Sequence, residues 1–599
     1  MRRLLRLLFG DDLDRVRADG PGWLLWAVVT HSAVRSAAAW LLAVGLAGSM
    51  LRYSAWIGFQ DHARADGNSG HTAIDFGGQW MMGRMLVTGH ARDLYNRTAA
   101  WPIAYAAYPA ADAAPITQPP EGESGPEDAA RSSQDAARVV WSYVGEDDRP
   151  AVEALASSAG LAAWADPWQT AAAALATPPD QAERLARLQE KQIGGPLYPP
   201  IHAFLFAPLG LLKPQTAYYL VQGLLLLLAF VAGAAVSRAT AGRIWCPVAA
   251  VLVMIYPGFR GCLQLGQNGP VTLAIVLWGW ALAARGRPVA GGAVWGLLAY
   301  KPVWGLVFAL VPLLTGRWRM LAAMTATGFA LAAATLPVVG LDTWLDWLRV
   351  GKLAAELYNV DLNWIFLGRD LLSVPRRFLL DFSLPEAKRD DPLATAAGWA
   401  LLLAVLAGVV AVGLRHRTAA RAWTGTGPGF LFLGASLCCF HYMYYDLLLS
   451  LAGVFLLLDP PARFARPTLV AVGAEPTAAL REYYRPRLAR SYPLTEAGGS
   501  VWVASSVTLT LLASLLVIEH TFNWLGISAY VTSPVIPRVT KVELDGPIRL
   551  ADPPIETTSR ATVRMDFMLT TNTQGPPWDT FVLLGLLAWT GFRVVRGEP

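Results

Sequence analysis

Asp75 stands just past the first long apolar run, in His71-Thr-Ala-Ile-Asp75-Phe76, and opens the segment Asp75–Thr88. An Asp before an apolar helical run is a good N-cap, because its oxygen accepts from a free backbone N–H. The same carboxylate at a lipid–water boundary can take the proton of an acceptor hydroxyl, as transfer to a sugar alcohol requires. Spacing alone leaves both roles open.

Other polar residues fall at the ends of apolar runs, where a half-buried charge is a functional suspect. Leu197-Tyr198-Pro199-Pro200-Ile201-His202, followed by Ala207-Pro208-Leu209, is too broken by proline for a straight span. It reads as a re-entrant segment in which Tyr198 and His202 face either a cavity or ordinary core. Gly266-Gln267-Asn268-Gly269-Pro270 is a tight turn whose Gln267 and Asn268 can hydrogen-bond sugar hydroxyls, although turn chemistry also explains Asn-Gly. Lys301, next to Pro302 inside an apolar stretch, costs on the order of 3 kcal/mol unless an anion offsets it or it snorkels to the interface. Asn359-Val-Asp361-Leu-Asn363-Trp364 lies close in sequence to Arg349 and Lys352, and His441-Tyr442-Met-Tyr-Tyr-Asp446 joins two apolar runs. Basic groups at one interface suit a phosphate leaving group, whose charge grows as its bond breaks.

The elements that must hold these residues are membrane helices. Of the 599 residues 54% are hydrophobic and 16% charged, against about 25% charged for a soluble domain, and the mean hydropathy is +0.37. A soluble enzyme is excluded. Twenty-four Trp fit interfacial aromatics. The pI near 9 reflects arginine-rich cytoplasmic loops, and no nucleic-acid partner is expected. The four cysteines, Cys246, Cys262, Cys438 and Cys439, lie in or beside apolar runs and read as core residues, with no metal-ligand spacing. No P-loop, HExxH or GxSxG motif occurs.

Apolar runs predict an all-α polytopic protein of about twelve transmembrane helices. They fall at 31–57, 215–237, 244–258, 269–284, 288–300, 302–315, 319–341, 394–414, 427–440, 446–459, 500–523 and 579–595. Acid-free connections bearing Arg238 and Arg243, Arg285 and Arg287, Arg317 and Arg319, and Arg415, Arg417 and Arg421 belong in the cytoplasm. Parity then requires a break at Tyr300-Lys301-Pro302 and puts both termini in the cytoplasm. Gly292 and Gly296 have the spacing of a close helix crossing.

The chain divides into a cytoplasmic N-terminus 1–30, a first transmembrane helix 31–57, and an extracytoplasmic loop 58–200 with interfacial helices and a mobile middle. A transmembrane core 201–459 follows, then a basic cytoplasmic loop 460–499 and a C-terminal helix pair 500–599 enclosing an extracytoplasmic segment 525–578. The first loop carries eighteen acids against ten bases between Asp61 and Lys191, as a translocated loop should. Asp75–Thr88 and Leu94–Ala107 are apolar enough to lie along the membrane surface. Short outer turns are expected at 259–268 and a larger outer segment at 342–393.

At these residues the sequence resembles the GT-C superfamily of polytopic glycosyltransferases, and within it the bacterial alpha-mannosyltransferase-like family that uses polyprenyl-phosphate sugars. The matching pieces are Asp75-Phe76 with Gly89, Leu94 and Tyr95; Tyr198-Pro199-Pro200 with Pro208-Leu209; Gly266-Gln267-Asn268; Ala290-Gly291 with Lys301-Pro302; Asn359 with Asn363; and His441-Tyr442. The resemblance implies a GT-C-like bundle in the bacterial inner membrane and an extracytoplasmic site. In it Asp75 is the catalytic base, and Tyr198, His202, Gln267, Asn268, Asn359 and Asn363 bind substrate. Lys301 and His441 would steady the departing lipid phosphate. It also implies transfer of a hexose, mannose first, with inversion, from a polyprenyl-phosphate donor to a glycolipid or glycan acceptor; no cofactor is expected, and with no clear Asp-x-Asp signature in the first loop no required metal is expected either. A lipid or glycolipid transporter is the alternative, and a scaffold binding partners through its outer segments would leave Asp75 replaceable.

Overall fold

The computed structural model describes residues 32–57, 68–69, 72, 75–96, 99–100, 103, 107, 193–382, 384, 388–458, 543–544, 561–562 and 577–597. The expected span 500–523, the middle of the first loop, the helices at 151–191 and the basic loop 460–499 lie outside these residues. Of the segment 525–578, a two-residue antiparallel pair is described, Glu543–Leu544 with Ala561–Thr562, together with the start of the last helix.

The described chain is a helical bundle. Its helices are α1 (Ser32–Leu51), α2 (Asp75–Val87), α3 (Pro200–Gly210), α4 (Pro214–Ala239), α5 (Cys246–Ile255), α6 (Phe259–Leu265), α7 (Gly269–Ala284) and α8 (Pro288–Gly296). They continue as α9 (Pro302–Thr315), α10 (Trp318–Val360), α11 (Leu362–Leu367), α12 (Ser373–Leu379), α13 (Pro392–Arg415), α14 (Thr426–Leu437), α15 (Leu451–Leu458) and α16 (Trp578–Val595). Proline sits in the first two positions of α3, α4, α5, α7, α8, α9 and α13. There its missing N–H costs nothing and its fixed φ favours the first turn. The prolines that made 197–209 look broken therefore start a helix, with Pro208 inside it. At about 16 Å for eleven residues, α3 is too short to cross a hydrocarbon core of about 30 Å.

Among the described residues five helices are long and apolar enough to cross a membrane, spanning 34–56, 214–239, 318–360, 392–415 and 578–595, and the bent pair α5–α6 makes a sixth candidate. Shorter apolar helices fill the rest of the bundle, including 269–284, 288–300, 302–315, 426–437 and 444–458. The expected break is present: α8 tightens into a 3-10 turn at Leu297–Tyr300, Lys301 leaves the helical conformation at φ −139° and ψ 75°, and Pro302 starts α9. The 259–268 segment, expected as a simple turn, instead holds α6, bent 71° from α5. Gly258 makes that bend with φ +88°, and a Cβ there would stand 2.4 Å from the Tyr445 carbonyl oxygen. Helix α10 is 43 residues, about 64 Å, but Gly340 at φ 79° and ψ 164° divides it where the apolar run ends.

Two readings of the surface change. The segment expected to lie along the membrane, α2, buries Phe76, Gln79, Trp80, Met82 and Met85 within the protein. It crosses α3 so closely that a Cβ on Gly83 would fall 2.2 Å from the Phe206 carbonyl oxygen. Nor are all the tryptophans interfacial: Trp80, Trp280, Trp295 and Trp304 are fully buried. Trp280 and Trp295 stack at 6.2 Å and meet Phe432 edge-on at 4.9 and 5.9 Å, a dry aromatic core joining α7, α8 and α14. Gly292 and Gly296 do let α8 approach α10, since Cβ atoms there would meet Met320 and Thr327 at 2.1 and 2.4 Å. Cys262, Cys438 and Cys439 are buried free thiols.

Candidate active site

Four of the expected substrate-binding residues converge on one that the sequence reading passed over, Gln79. Its side chain is fully buried, and its Nε2 donates to the Gly266 carbonyl at 3.0 Å. That bond orients the amide, because the carbonyl can only accept. Its Oε1 thereby accepts from Asn268 Nδ2 at 3.3 Å and lies 3.2 Å from His202 Nε2. Beside it the Tyr198 hydroxyl donates to Gln267 Oε1 at 2.9 Å. Tyr198, just before α3, and His202 and Phe206, one turn apart within it, stack with ring centroids 4.1 and 4.7 Å apart. The Tyr300 ring lies 5.8 Å from His202, and its hydroxyl donates to the Asn268 carbonyl at 3.2 Å.

This cluster carries no formal charge. Amides, phenols and stacked rings are the groups that recognise sugar hydroxyls and sugar faces. Asp75 opens α2 one turn before Gln79, so the two positions share a face of that helix. The Asp75 side chain itself lies outside the described residues, as does that of Asn363 in α11. A polar residue four positions after Asp75 in an apolar run was the signal that could have singled out Gln79.

The second cluster is charged. Lys301 Nζ pairs with Asp446 Oδ1 at 2.8 Å, with side-chain exposures of 7% and 0%. Of the two readings open for Lys301, an offsetting anion or snorkelling, the structure shows the first, with the anion supplied from within the chain, 145 residues away. The Asp446 Oδ2 atom has no hydrogen-bond partner among the described residues. His441 stacks on Tyr358 at 4.9 Å and lies 6.4 Å from Trp364. Burial, and then the nearby Lys301 charge, push its imidazole down to about 3, so it meets any phosphate as a neutral hydrogen-bonding ring.

Asn359 belongs to this second cluster and not to the first. Its Oδ1 accepts from Arg376 Nη2 at 2.5 Å. Arg369, Arg376 and Arg377 are all buried, a feature missed because arginines between apolar runs look solvated. Arg369 pairs with Asp579 at 2.6 Å. Asp370, whose Oδ1 accepts from the Ser373 N–H at 2.8 Å, has its carboxyl pushed up to about 6 by burial, against the pull of that N–H and of Arg376. Arg349, by contrast, is exposed and pairs with Asp346 on its own helix at 3.0 Å, and Lys352 is exposed. Among the described residues no group of three His, Cys, Asp or Glu could hold a metal ion.

Residues 197–439 match the family model of glycosyltransferase family 87, a GT-C-type family of polytopic membrane glycosyltransferases. None of the curated proteins and none of the solved structures matches the chain. The family match supports a multi-pass membrane glycosyltransferase, and the transporter alternative gains nothing from it. The matched stretch contains Tyr198, His202, Gln267, Asn268, Lys301, Asn359 and Asn363, whereas Asp75, Gln79, His441, Asp446 and Asp579 lie outside it.

Proposed function

We propose that the protein transfers a hexose, mannose first, from a polyprenyl-phosphate donor to a glycolipid or glycan acceptor on the extracytoplasmic side of the bacterial inner membrane. Both termini are then cytoplasmic, and the donor arrives from the surrounding lipid without a nucleotide. The observation that carries this reading is the uncharged cluster around Gln79, one turn from Asp75, within 3.3 Å of His202 and Asn268. Its amides and rings suit a sugar, while the ion-paired cluster reached through Tyr300 and Lys301 suits a phosphate.

In the transfer, Asp75 takes the proton of the acceptor hydroxyl. The freed oxygen attacks the anomeric carbon from the face opposite the phosphate, so the configuration inverts. The bond from that carbon to the phosphate oxygen breaks, and its electron pair leaves with polyprenyl phosphate. Lys301, with its charge shared by Asp446, and the neutral His441 ring favour that departure as negative charge grows. Tyr198, His202, Gln267, Asn268 and Asn363 orient the sugar and the acceptor, and Asn359, bonded to Arg376, binds the donor on its phosphate side.

The test offers the purified protein, in lipid nanodiscs, radiolabelled polyprenyl-phosphate hexoses and the matching nucleotide sugars with a membrane-extract acceptor. Label transferred from the lipid-linked donors alone is the expected outcome. Transfer from a nucleotide sugar, or movement of intact lipid between leaflets without transfer, would overturn the reading.

A further inference from the structure

The C-terminal helix α16 lies beyond the stretch that matches the family model, yet it enters the charged cluster. Its buried face, including Leu583, Leu586, Leu587 and Gly591, packs into the bundle, and a Cβ on Gly591 would meet the Phe430 ring of α14 at 3.0 Å. That packing brings the first turn of α16 against residue 369. Asp579 Oδ2 accepts from Arg369 Nε at 2.6 Å, and the neighbouring Thr580 hydroxyl donates to the Arg369 carbonyl at 3.0 Å. Side chain and backbone of one residue are therefore held by two successive residues of α16. Both partners are almost wholly buried, at 3% and 1% exposure.

Residue 369 does not stop at this contact. Its backbone N–H donates to the Tyr442 carbonyl at 2.5 Å, and Gly368 forms an antiparallel bridge with Met443. Residues 442–443 stand between His441 and the turn Tyr444–Ser450 that carries Asp446, the partner of Lys301. The Arg369 guanidinium also donates to the Phe366 carbonyl at 2.8 Å, a carbonyl shared with Arg377 at 2.7 Å. The path from α16 to the site is thus a chain of direct contacts: Asp579 to Arg369, Arg369 to 442–443, and from there to His441 on one side and Asp446 on the other.

Resting on the transferase reading above, the structure assigns Asp579 as a positioning residue for donor binding: through Arg369 it fixes the 441–446 connection that presents His441 and holds the Lys301–Asp446 pair. A sequence reading cannot pair residues 369 and 579, which are 210 positions apart. Asp579 touches no reacting atom in this assignment. Its carboxylate matters because Arg369 is buried and charged, and an uncharged amide would leave that cation without its counter-ion.

The full chain in lipid nanodiscs, as wild type, Asp579→Asn and Asp579→Glu, tests the assignment by amide hydrogen exchange and by transfer kinetics. In Asp579→Asn, peptides covering 366–370 and 438–446 should exchange about tenfold faster or more, while those covering 200–210 and 269–284 keep their protection. The value of kcat/KM for the polyprenyl-phosphate hexose should fall about 10- to 100-fold, with the acceptor's KM unchanged and most of the loss recovered by Asp579→Glu. Should Asp579→Asn fail to fold, Arg369→Lys replaces it, keeping the charge and losing the guanidinium fork. Unchanged exchange at 438–446, protection lost evenly across the protein, or an unchanged kcat/KM would each overturn the assignment. A wild type that transfers no sugar overturns the transferase reading and the assigned role with it, while the exchange data separately establish whether the tie exists.

Discussion

The two polar clusters meet at consecutive residues, Tyr300 and Lys301, and are built from opposite materials. Around Gln79 every group is neutral, and the bonds join amides, phenols and backbone carbonyls. Around Lys301 and Arg369 the contacts are buried ion pairs closed at 2.8 and 2.6 Å. Neutral groups exchange one hydrogen bond for another at little cost, which suits binding and releasing a sugar. A buried ion pair is costly to separate, which suits holding backbone segments from distant parts of the chain in one arrangement. On the proposed reading the neutral side recognises the sugar, while the charged side ties distant segments together and faces the phosphate.

Breaking the charged side should have the largest effect on stability. Lys301→Ala leaves Asp446 buried and unpaired and should cost about 3–5 kcal/mol, read as a lower midpoint of unfolding in detergent. The double variant Lys301→Met/Asp446→Leu should regain most of that loss while transfer stays impaired. Equal instability of the single and double variants would show that the pair is not the unit described here.

A smaller effect is expected on the neutral side. Gln79→Leu removes the acceptor of Asn268 and the donor to Gly266, a change of about 1–3 kcal/mol. Its sharper signature is kinetic, a raised KM for the sugar substrates with the fold retained. An unchanged KM would separate Gln79 from recognition and leave it a packing residue.

Most useful for telling groups apart is the response to pH. His441 sits at about 3 in the folded chain against its ordinary 6.5, so the unfolded chain binds a proton that the folded one refuses. Its contribution is whole above 6.5 and is lost as the pH falls toward 3. Asp370 has the opposite sign: raised from 3.8 to about 6, it keeps a proton that the unfolded chain releases. Its contribution is present below 3.8 and disappears as the pH rises through about 6. Unfolding midpoints from pH 4 to 8 should therefore lose their acid-side fall in His441→Gln and their fall toward neutral pH in Asp370→Asn. Identical profiles for wild type and both variants would contradict these assignments.

Much of this arrangement was legible in the residues. Proline after Lys301 located the break between α8 and α9, and the end of the apolar run at 341 located the division of α10 at Gly340. Tyr198, His202, Gln267 and Asn268 were legible because each is polar at the end of an apolar run. Partners distant in sequence were not. Lys301 left an anion or snorkelling open and gave no sign that Asp446 would pair with it, and nothing local distinguishes Arg369, Arg376 and Arg377 from solvated loop arginines. The same limit hid what covers α2: an apolar helix looks alike whether lipid or α3 packs on it, and the close crossing at Gly83 shows that α3 does.

The central claim is that position 75 supplies the base for sugar transfer beside the Gln79 cluster. Single-turnover transfer from a radiolabelled polyprenyl-phosphate hexose, compared between wild type and Asp75→Asn at equal folded fraction, tests it most directly. The substitution keeps the shape and a capping oxygen while removing the base. The account predicts a rate lower by about 10²- to 10⁴-fold with donor binding retained; a variant that transfers at the wild-type rate would contradict it.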